Sequence, residues 1–254
     1  MSLQGKVALV TGASRGIGQA IALELGRQGA VVIGTATSAS GAERIAATLK
    51  ENGVQGTGLE LNVTSDESVA AVLAEITAQF GAPAILVNNA GVSLKNEQGH
   101  SNTAQNTSEA EFNQTMRINA LAPLLLTQQF LPGMRQASYG RIVNVASLAG
   151  RSKTAVSGPA YMMSKAALMA WSRAVALEMA PYGVVCNSVA PGRVLTKMAM
   201  QGGDEVNQRI AQTTPTGRIG TPDEVAYAIA MLCTPEAAFT TGACLDINGG
   251  VFMS

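Results

Sequence analysis

Tyr161 and Lys165 stand four residues apart in a run rich in Ala, Met and Leu, 161–177, whose composition favours helix. That spacing projects both side chains from one helix face. A phenol beside a fixed ammonium is an acid/base unit. Tyrosine ordinarily ionises near pH ~10, and a neighbouring cation favours the phenolate, so Lys165 is expected to bring Tyr161 toward useful strength near neutrality. Ser147 supplies a third group. It follows an apolar run, 141–146, that reads as a buried strand. Ligands of α/β sheets bind at the carboxyl ends of parallel strands, where a hydroxyl can hold a substrate carbonyl.

A tyrosine acid/base needs a redox partner to complete a reaction, and the amino-terminal region offers one. A short β-rich run, 6–11, empties into Thr11-Gly-Ala-Ser-Arg-Gly-Ile-Gly18 ahead of an amphipathic stretch, 19–28, and a second strand follows at 31–35. Strand, glycine turn, helix and strand make one βαβ unit. Gly12, Gly16 and Gly18 let backbone approach a pyrophosphate, and the N–H groups around Ser14, Arg15 and Ile17 at the new helix start can meet its negative charge.

The second strand ends in Thr35-Ala-Thr-Ser38, with no carboxylate. A free ribose 2′-hydroxyl is usually held by Asp or Glu about 20 residues past the glycines. Hydroxyls at Thr37 and Ser38, together with Arg15, suit a 2′-phosphate instead, so the cofactor is expected to be NADP(H).

The alternation continues with a helix at 41–52, a strand at 57–61 and a helix at 66–80. Asn62 and Val63 close that third strand, placed for an adenine edge. A strand at 84–87 runs into Asn88-Asn89-Ala90-Gly91, small enough for backbone to lie against the cofactor ribose. Residues 93–108 are polar and unpatterned and read as a loop over the cleft. A long helix, 109–135, is expected to break near Asn119 and Pro123, with Asn119 a buried amide able to hold a water beside Lys165. After the Tyr161 helix come a strand at 184–189 and a turn at Pro191-Gly192-Arg193-Val194, beside the expected nicotinamide. Residues 193–215, with Thr196, Met198, Met200, Gly202 and Gly203, read as a helical lid. A helix at 222–233 and a strand at 244–247 complete the sheet.

Composition narrows the field. The 254 residues fit one α/β domain, 1–254. Apolar residues make up 47% and charged ones 13%, below the usual quarter, which points to surface buried between subunits of a homo-oligomer. Zero net charge without a basic cluster argues against nucleic acid. The amino-terminal apolar run is too short for a leader or a membrane span, so a cytoplasmic protein without membrane contact is expected. Cys186, Cys233 and Cys244 lack zinc-site spacing and read as buried, reduced thiols. His100 is the only histidine, which disfavours a Ser-His-Asp hydrolase, and no clustered ligands favour a metal.

TGASRGIG at 11–18, NNAG at 88–91, Asn119, Ser147, YMMSK at 161–165 and the Pro191-Gly192 pair together resemble the short-chain dehydrogenase/reductases, over essentially the whole chain. The resemblance implies a Rossmann-type doubly wound fold, a seven-stranded parallel sheet in the order 3-2-1-4-5-6-7 with helices on both faces, and a tetramer. It implies Tyr161 as acid/base, Lys165 as its partner and ribose ligand, Ser147 on the substrate carbonyl, and Asn119 supporting a proton relay.

Residues 1–91 and the VFMS ending are similar to bacterial 3-oxoacyl-acyl-carrier-protein reductases. Those enzymes carry basic docking residues where this chain has Ser138, Tyr139 and Tyr182, so binding of an acyl carrier protein is an open question, with Arg135 and Arg173 as possible replacements. Three functions stay in view. The leading one is NADPH-dependent reduction of a ketone, a 3-oxoacyl thioester first. The second is an alcohol dehydrogenase acting on another secondary alcohol or polyol, and the third a non-catalytic NADP-binding regulator.

Overall fold

The computed structural model describes residues 3–152, 156–200 and 203–253. β1 (Val7–Val10), α1 (Gly16–Arg27), β2 (Val31–Ala36), α2 (Ala39–Glu51), β3 (Gly56–Glu60), α3 (Asp66–Phe80) and β4 (Ile85–Asn88) alternate strictly. The second half runs α4 (Glu109–Met116), α5 (Ala122–Gln136), β5 (Gly140–Val145), α6 (Pro159–Met179), β6 (Val184–Pro191), α7 (Lys197–Met200), α8 (Asp204–Thr213), α9 (Pro222–Cys233) and β7 (Cys244–Ile247). All strand pairs are parallel, in the order β3-β2-β1-β4-β5-β6-β7, as the resemblance implies. The order reverses between β1 and β4, so their helices leave on opposite faces and a crevice opens at their carboxyl ends.

Burial on both faces explains why central strands read as unbroken apolar runs. Within β1, Ala8 and Val10 join α1, α2 and α9 on one face, while Val7 and Leu9 join α3, α5 and α6 on the other. This is the period-2 alternation of a strand applied to a sheet with two cores. Each fully buried leucine, such as Leu9 or Leu25, contributes about 1.5–3 kcal/mol.

Two helix features bear on the site. α1 begins at Gly16 rather than residue 19, because glycine's low helix propensity hides a turn that tertiary contacts impose. The expected break in the long helix is a π-helical segment, Arg117–Leu121, centred on Asn119, with Pro123 near the start of α5 where its missing N–H costs nothing. The expected lid resolves into α7 and α8. The Met198 side chain and Gly202, placed in that lid by the sequence, lie outside the described residues.

One feature of the sheet was not read from the sequence. Asn88 on β4, Asn144 on β5 and Ser188 on β6 are register partners. Asn88 Nδ2 donates to Asn144 Oδ1 at 2.8 Å and Thr127 Oγ1 at 3.3 Å. Asn144 Nδ2 donates to Ser172 Oγ at 2.8 Å, and Ser172 Oγ lies 2.7 Å from Ser188 Oγ. This buried polar row ties three strands to α5 and α6, fixing the strand ends that carry the site.

Candidate active site

Pro159 opens α6, its fixed φ suited to a first helical position, so Tyr161 falls in the first turn and Lys165 in the next. Lys165 is 4% exposed, and its Nζ donates to Val145 O at 2.7 Å. Burial lowers its pKa to about 8. The ammonium stands 5.7 Å from the Tyr161 ring centroid. Ser147 lies two residues beyond β5, its Oγ accepting from Ala149 N at 3.1 Å. The Ser147 hydroxyl lies close enough to the Tyr161 phenol to favour its ionised form.

The Tyr161 phenol is shifted opposite to the sequence expectation. Burial pushes it above its ordinary value, and the neighbouring Ser147 hydroxyl opposes that only in part. Lys165 does not reverse the shift, because its ammonium is itself desolvated and anchored on a backbone carbonyl. A phenol that stays protonated near neutrality is suited to donate a proton.

Asn119 is completely buried and clasps both backbone polar groups of one residue. Its Oδ1 accepts from Val92 N at 2.8 Å, its Nδ2 donates to Val92 O at 2.8 Å, and Nδ2 also reaches Ser164 Oγ at 3.1 Å. The π-helical segment turns the amide toward this strand exit. Gly91 completes the corner: a Cβ there would stand 3.2 Å from Asn119 Oδ1 and 3.4 Å from Lys165 Nζ. Asn119 thus sits beside Lys165, where the sequence placed it.

The glycine loop fits an anionic dinucleotide. A Cβ on Gly18 would overlap Gly12 O and stand 2.5 Å from Asn89 Nδ2. Gly12 and Gly16 adopt φ of +67° and +57°, which favour glycine. α1 has no side-chain cap at Arg15 and no acidic residue in its first turn, whereas Ser38, Ser65, Ser108 and Thr221 cap α2, α3, α4 and α9. Its first N–H groups are therefore open to a phosphate. Ser14 is half-buried and Arg15 exposed, while Ile17 packs on the apolar core and leaves only backbone for a ligand.

Thr11, which the sequence reading left as strand, braces this loop. Its Oγ1 accepts from Asn89 N and Ala90 N, each at 3.0 Å, while Asn89 Nδ2 donates to Thr11 O at 2.9 Å and Gly12 O at 3.1 Å. Asn89 therefore shapes the cradle with its side chain, and Ala90 and Gly91 provide the wall.

At the end of β2, Thr37 and Ser38 are exposed, and Ser38 Oγ accepts from Gly41 N at 3.2 Å. Arg44, one turn into α2, folds back so that its Nη2 would lie 3.7 Å from a Cβ on Gly41. It brings a cation near Ser38, and the sequence reading missed it. A basic residue two turns after a Ser cap is the signal that could have found it. Asn62 Oδ1 is taken up by Thr64, accepting from its N at 3.0 Å and its Oγ1 at 2.8 Å, so this side chain builds a turn; Val63 is half-buried against the α3 core.

The second wall comes from β6. Gly192 N donates to Ile247 O at 2.9 Å, and a Cβ on Gly192 would stand 3.0 Å from Asn248 Cα. Pro191 ends the strand, Val194 is buried and paired with Gly220, and Thr196 Cγ2 lies 3.4 Å from a Cβ placed on Gly16. The segment therefore closes over the glycine loop. Cys186 and Cys233 are buried thiols pushed up to about 12, whereas Cys244 is only half-buried on the sheet's edge strand.

An anion cradle and a Ser-Tyr-Lys group meeting at the carboxyl ends of the central strands define a dinucleotide-dependent oxidoreductase. Residues 12–252 match the family described as Enoyl-(Acyl carrier protein) reductase. The chain belongs to the short-chain dehydrogenase/reductase family. It is 45% identical to a 3-oxoacyl-acyl-carrier-protein reductase of Vibrio cholerae and 47% identical to one of Pseudomonas aeruginosa, each over all of both chains. It is also 43% identical to Protein FixR of Bradyrhizobium diazoefficiens, over 67% of this chain and 60% of that protein.

Proposed function

We propose that residues 1–254 form one domain that reduces a ketone with NADPH, a 3-oxoacyl thioester being the favoured substrate. The observation that carries this reading is the buried Lys165 beside a protonated Tyr161 whose phenol the Ser147 hydroxyl approaches. NADPH, when bound, supplies the hydride; the glycine loop, Arg15, Thr37, Ser38, Arg44, the 89–91 wall and Pro191, Gly192, Val194 and Thr196 would hold it. Ser147 Oγ orients the ketone oxygen, and the Tyr161 hydroxyl delivers a proton to that oxygen as negative charge develops there. Lys165 keeps a positive charge near the resulting phenolate. Asn119 fixes the Val92 peptide and Ser164, holding the corner in which a water can reach Lys165.

The relatives named as acyl-carrier-protein enzymes favour a thioester over the alternative alcohol dehydrogenase, and the intact Ser147, Tyr161 and Lys165 set favours an enzyme over a silent regulator. The reading includes a homotetramer acting in the cytoplasm. In its support, the groove between α5 and α6, lined by Leu131, Pro132 and Trp171, leaves Trp171 Nε1 buried without a hydrogen-bond partner within the described residues. Among those residues, no helix is long and apolar enough to cross a membrane.

Tyr161→Phe tests the proposal. It removes the proton donor and leaves the ring, so NADPH oxidation with a 3-oxoacyl thioester should fall by about 10² or more while NADPH binding persists. Turnover near that of the unaltered chain would overturn the assignment.

A further inference from the structure

Two cations stand at the rim of the cleft with no acid opposite them. Lys95 lies three residues past Val92, the residue clasped by Asn119, so chain length alone keeps the two Cα atoms within about 11 Å. Lys95 is exposed, and its Nζ donates to Ser101 Oγ at 2.8 Å and Val156 O at 3.1 Å, three residues before α6 begins. Arg193 enters from the other wall, directly after the Pro191-Gly192 turn. Its Nε donates to Asn207 Oδ1 at 2.9 Å and one Nη to Ala199 O at 2.6 Å. Every one of these partners is neutral.

The ion pairs among the described residues are Arg27–Glu24, Arg151–Asp246 and Arg218–Glu224, and neither cation takes part. Glu111, the carboxylate packed on this loop, accepts from Asn102 Nδ2 at 2.6 Å, and Glu97 is exposed outside any ion pair. Desolvation, then the charge of Arg193, holds the Lys95 ammonium below its ordinary value. Lys95 thus feels the like charge of Arg193, and an anion bound by both would relieve it.

We propose that Lys95 and Arg193 form a subsite for an oxyanion on the substrate, carried at a distance from the ketone that Tyr161 protonates. This rests on the ketone-reductase reading above. The oxyanion can be a carboxylate on the ketone itself or a phosphate on a thioester arm, and both demand paired cationic donors.

The test is steady-state NADPH oxidation with matched substrates. One pair is a 3-oxo chain ending in a carboxylate and its methyl ester; the other is one 3-oxoacyl group on coenzyme A and on N-acetylcysteamine, which lacks phosphate. The anionic member of at least one pair should show a KM about tenfold lower or more, as charge-assisted contacts require. Preference within the first pair assigns the carboxylate, and within the second the phosphate. Lys95→Gln and Arg193→Gln should each reduce the preference, and the double variant should erase it while the neutral member keeps its kcat/KM within about twofold. Arg193→Lys keeps the charge and loses the lid contacts, so it should retain most of the preference; behaviour like Arg193→Gln would overturn the subsite in favour of a lid role.

Reduction of neutral and anionic members alike also overturns the subsite and leaves the reductase reading intact. If no ketone is reduced, that reading fails, and calorimetric titration of hexanoate against hexanamide onto the NADP-bound chain decides the subsite. Stronger hexanoate binding that disappears in the double variant would uphold it, and equal binding would overturn it.

Discussion

The glycine loop and the walls that overhang the cleft serve one site and are built by opposite means. The loop is fixed by backbone: Gly18 has no room for a methyl group, and Thr11 and Asn89 hold the turn through four hydrogen bonds. The walls are polar chain whose contacts are largely local, such as Asn96 Oδ1 accepting from Gln98 N and His100 N. A cofactor common to many substrates needs fixed geometry, and geometry fixes residue type. A substrate wall needs only shape and charge, which many sequences supply.

The sharpest way to break this contrast is Gly18→Ala. The added methyl would strike the Gly12 carbonyl and the Asn89 amide, both held by other bonds, so the turn must open. Overpacking of this kind costs about 1–3 kcal/mol, occasionally more, and the displaced N–H groups should lower NADPH affinity by about 10²-fold. Fluorescence titration with NADPH and a urea midpoint would check both. A matching change in the opposite wall, Gln98→Ala on its exposed loop, should alter neither by more than about 0.5 kcal/mol.

Lys165 belongs to the constrained side, and its burial has a pH signature. Its folded pKa of about 8 lies below the ordinary value of 10.5, so between these values the unfolded chain binds more protons and stability rises with pH. The gain between pH 8 and 10 should be on the order of 2 kcal/mol. Above pH ~10 the raised Tyr161 phenol works in the opposite sense, its folded form keeping a proton that the unfolded chain loses. Lys165→Met should flatten the rise, seen as equal urea midpoints at pH 8 and 10. A rise of unchanged size in the variant would show that other groups cause it.

Legibility followed the same division. The strand–helix alternation, the glycine loop and the spacing of Ser147, Tyr161 and Lys165 were readable because each needs residue types at set distances, whereas the sheet order came only through the family resemblance those motifs carry. The Asn88-Asn144-Ser172-Ser188 row was not, since its members are 16 to 56 residues apart and meet only through strand register. Nor was the direction of the Tyr161 shift, because the helix repeat reveals neighbours and not the depth at which they lie. Arg44 escaped because only its side chain's return toward Ser38 brings it to the β2 end.

Cofactor choice sharpens the comparison at smaller scale, since the β2 end is a cradle edge made of exposed side chains. Thr37→Asp would set a carboxylate among Ser38, Arg15 and Arg44, costing NADPH about 1–3 kcal/mol and shifting preference toward NADH. Arg44→Ala should weaken NADPH binding by about tenfold or less and leave NADH binding unchanged. Equal loss for both cofactors in Arg44→Ala would place that arginine outside the 2′-phosphate site.

The smallest effect concerns the outer surface. Tyr139 is held between Lys6 and Arg141, each 4.2 Å from its ring, and Tyr182 lies under Arg135 at 4.0 Å. Where the resemblance implies basic docking residues, this surface keeps Arg135 stacked on an aromatic ring. One such charge gives little steering, because steering grows with opposed patches and fades beyond a Debye length of about 10 Å at 0.1 M salt. The kcat/KM for one 3-oxoacyl group on acyl carrier protein and on a short thiol should therefore differ by less than about tenfold and vary about twofold with salt. A larger carrier preference that collapses at high salt and vanishes in Arg135→Ala would show that the stacked guanidinium is sufficient for docking, and that even a loosely specified wall can carry a partner's recognition on one residue.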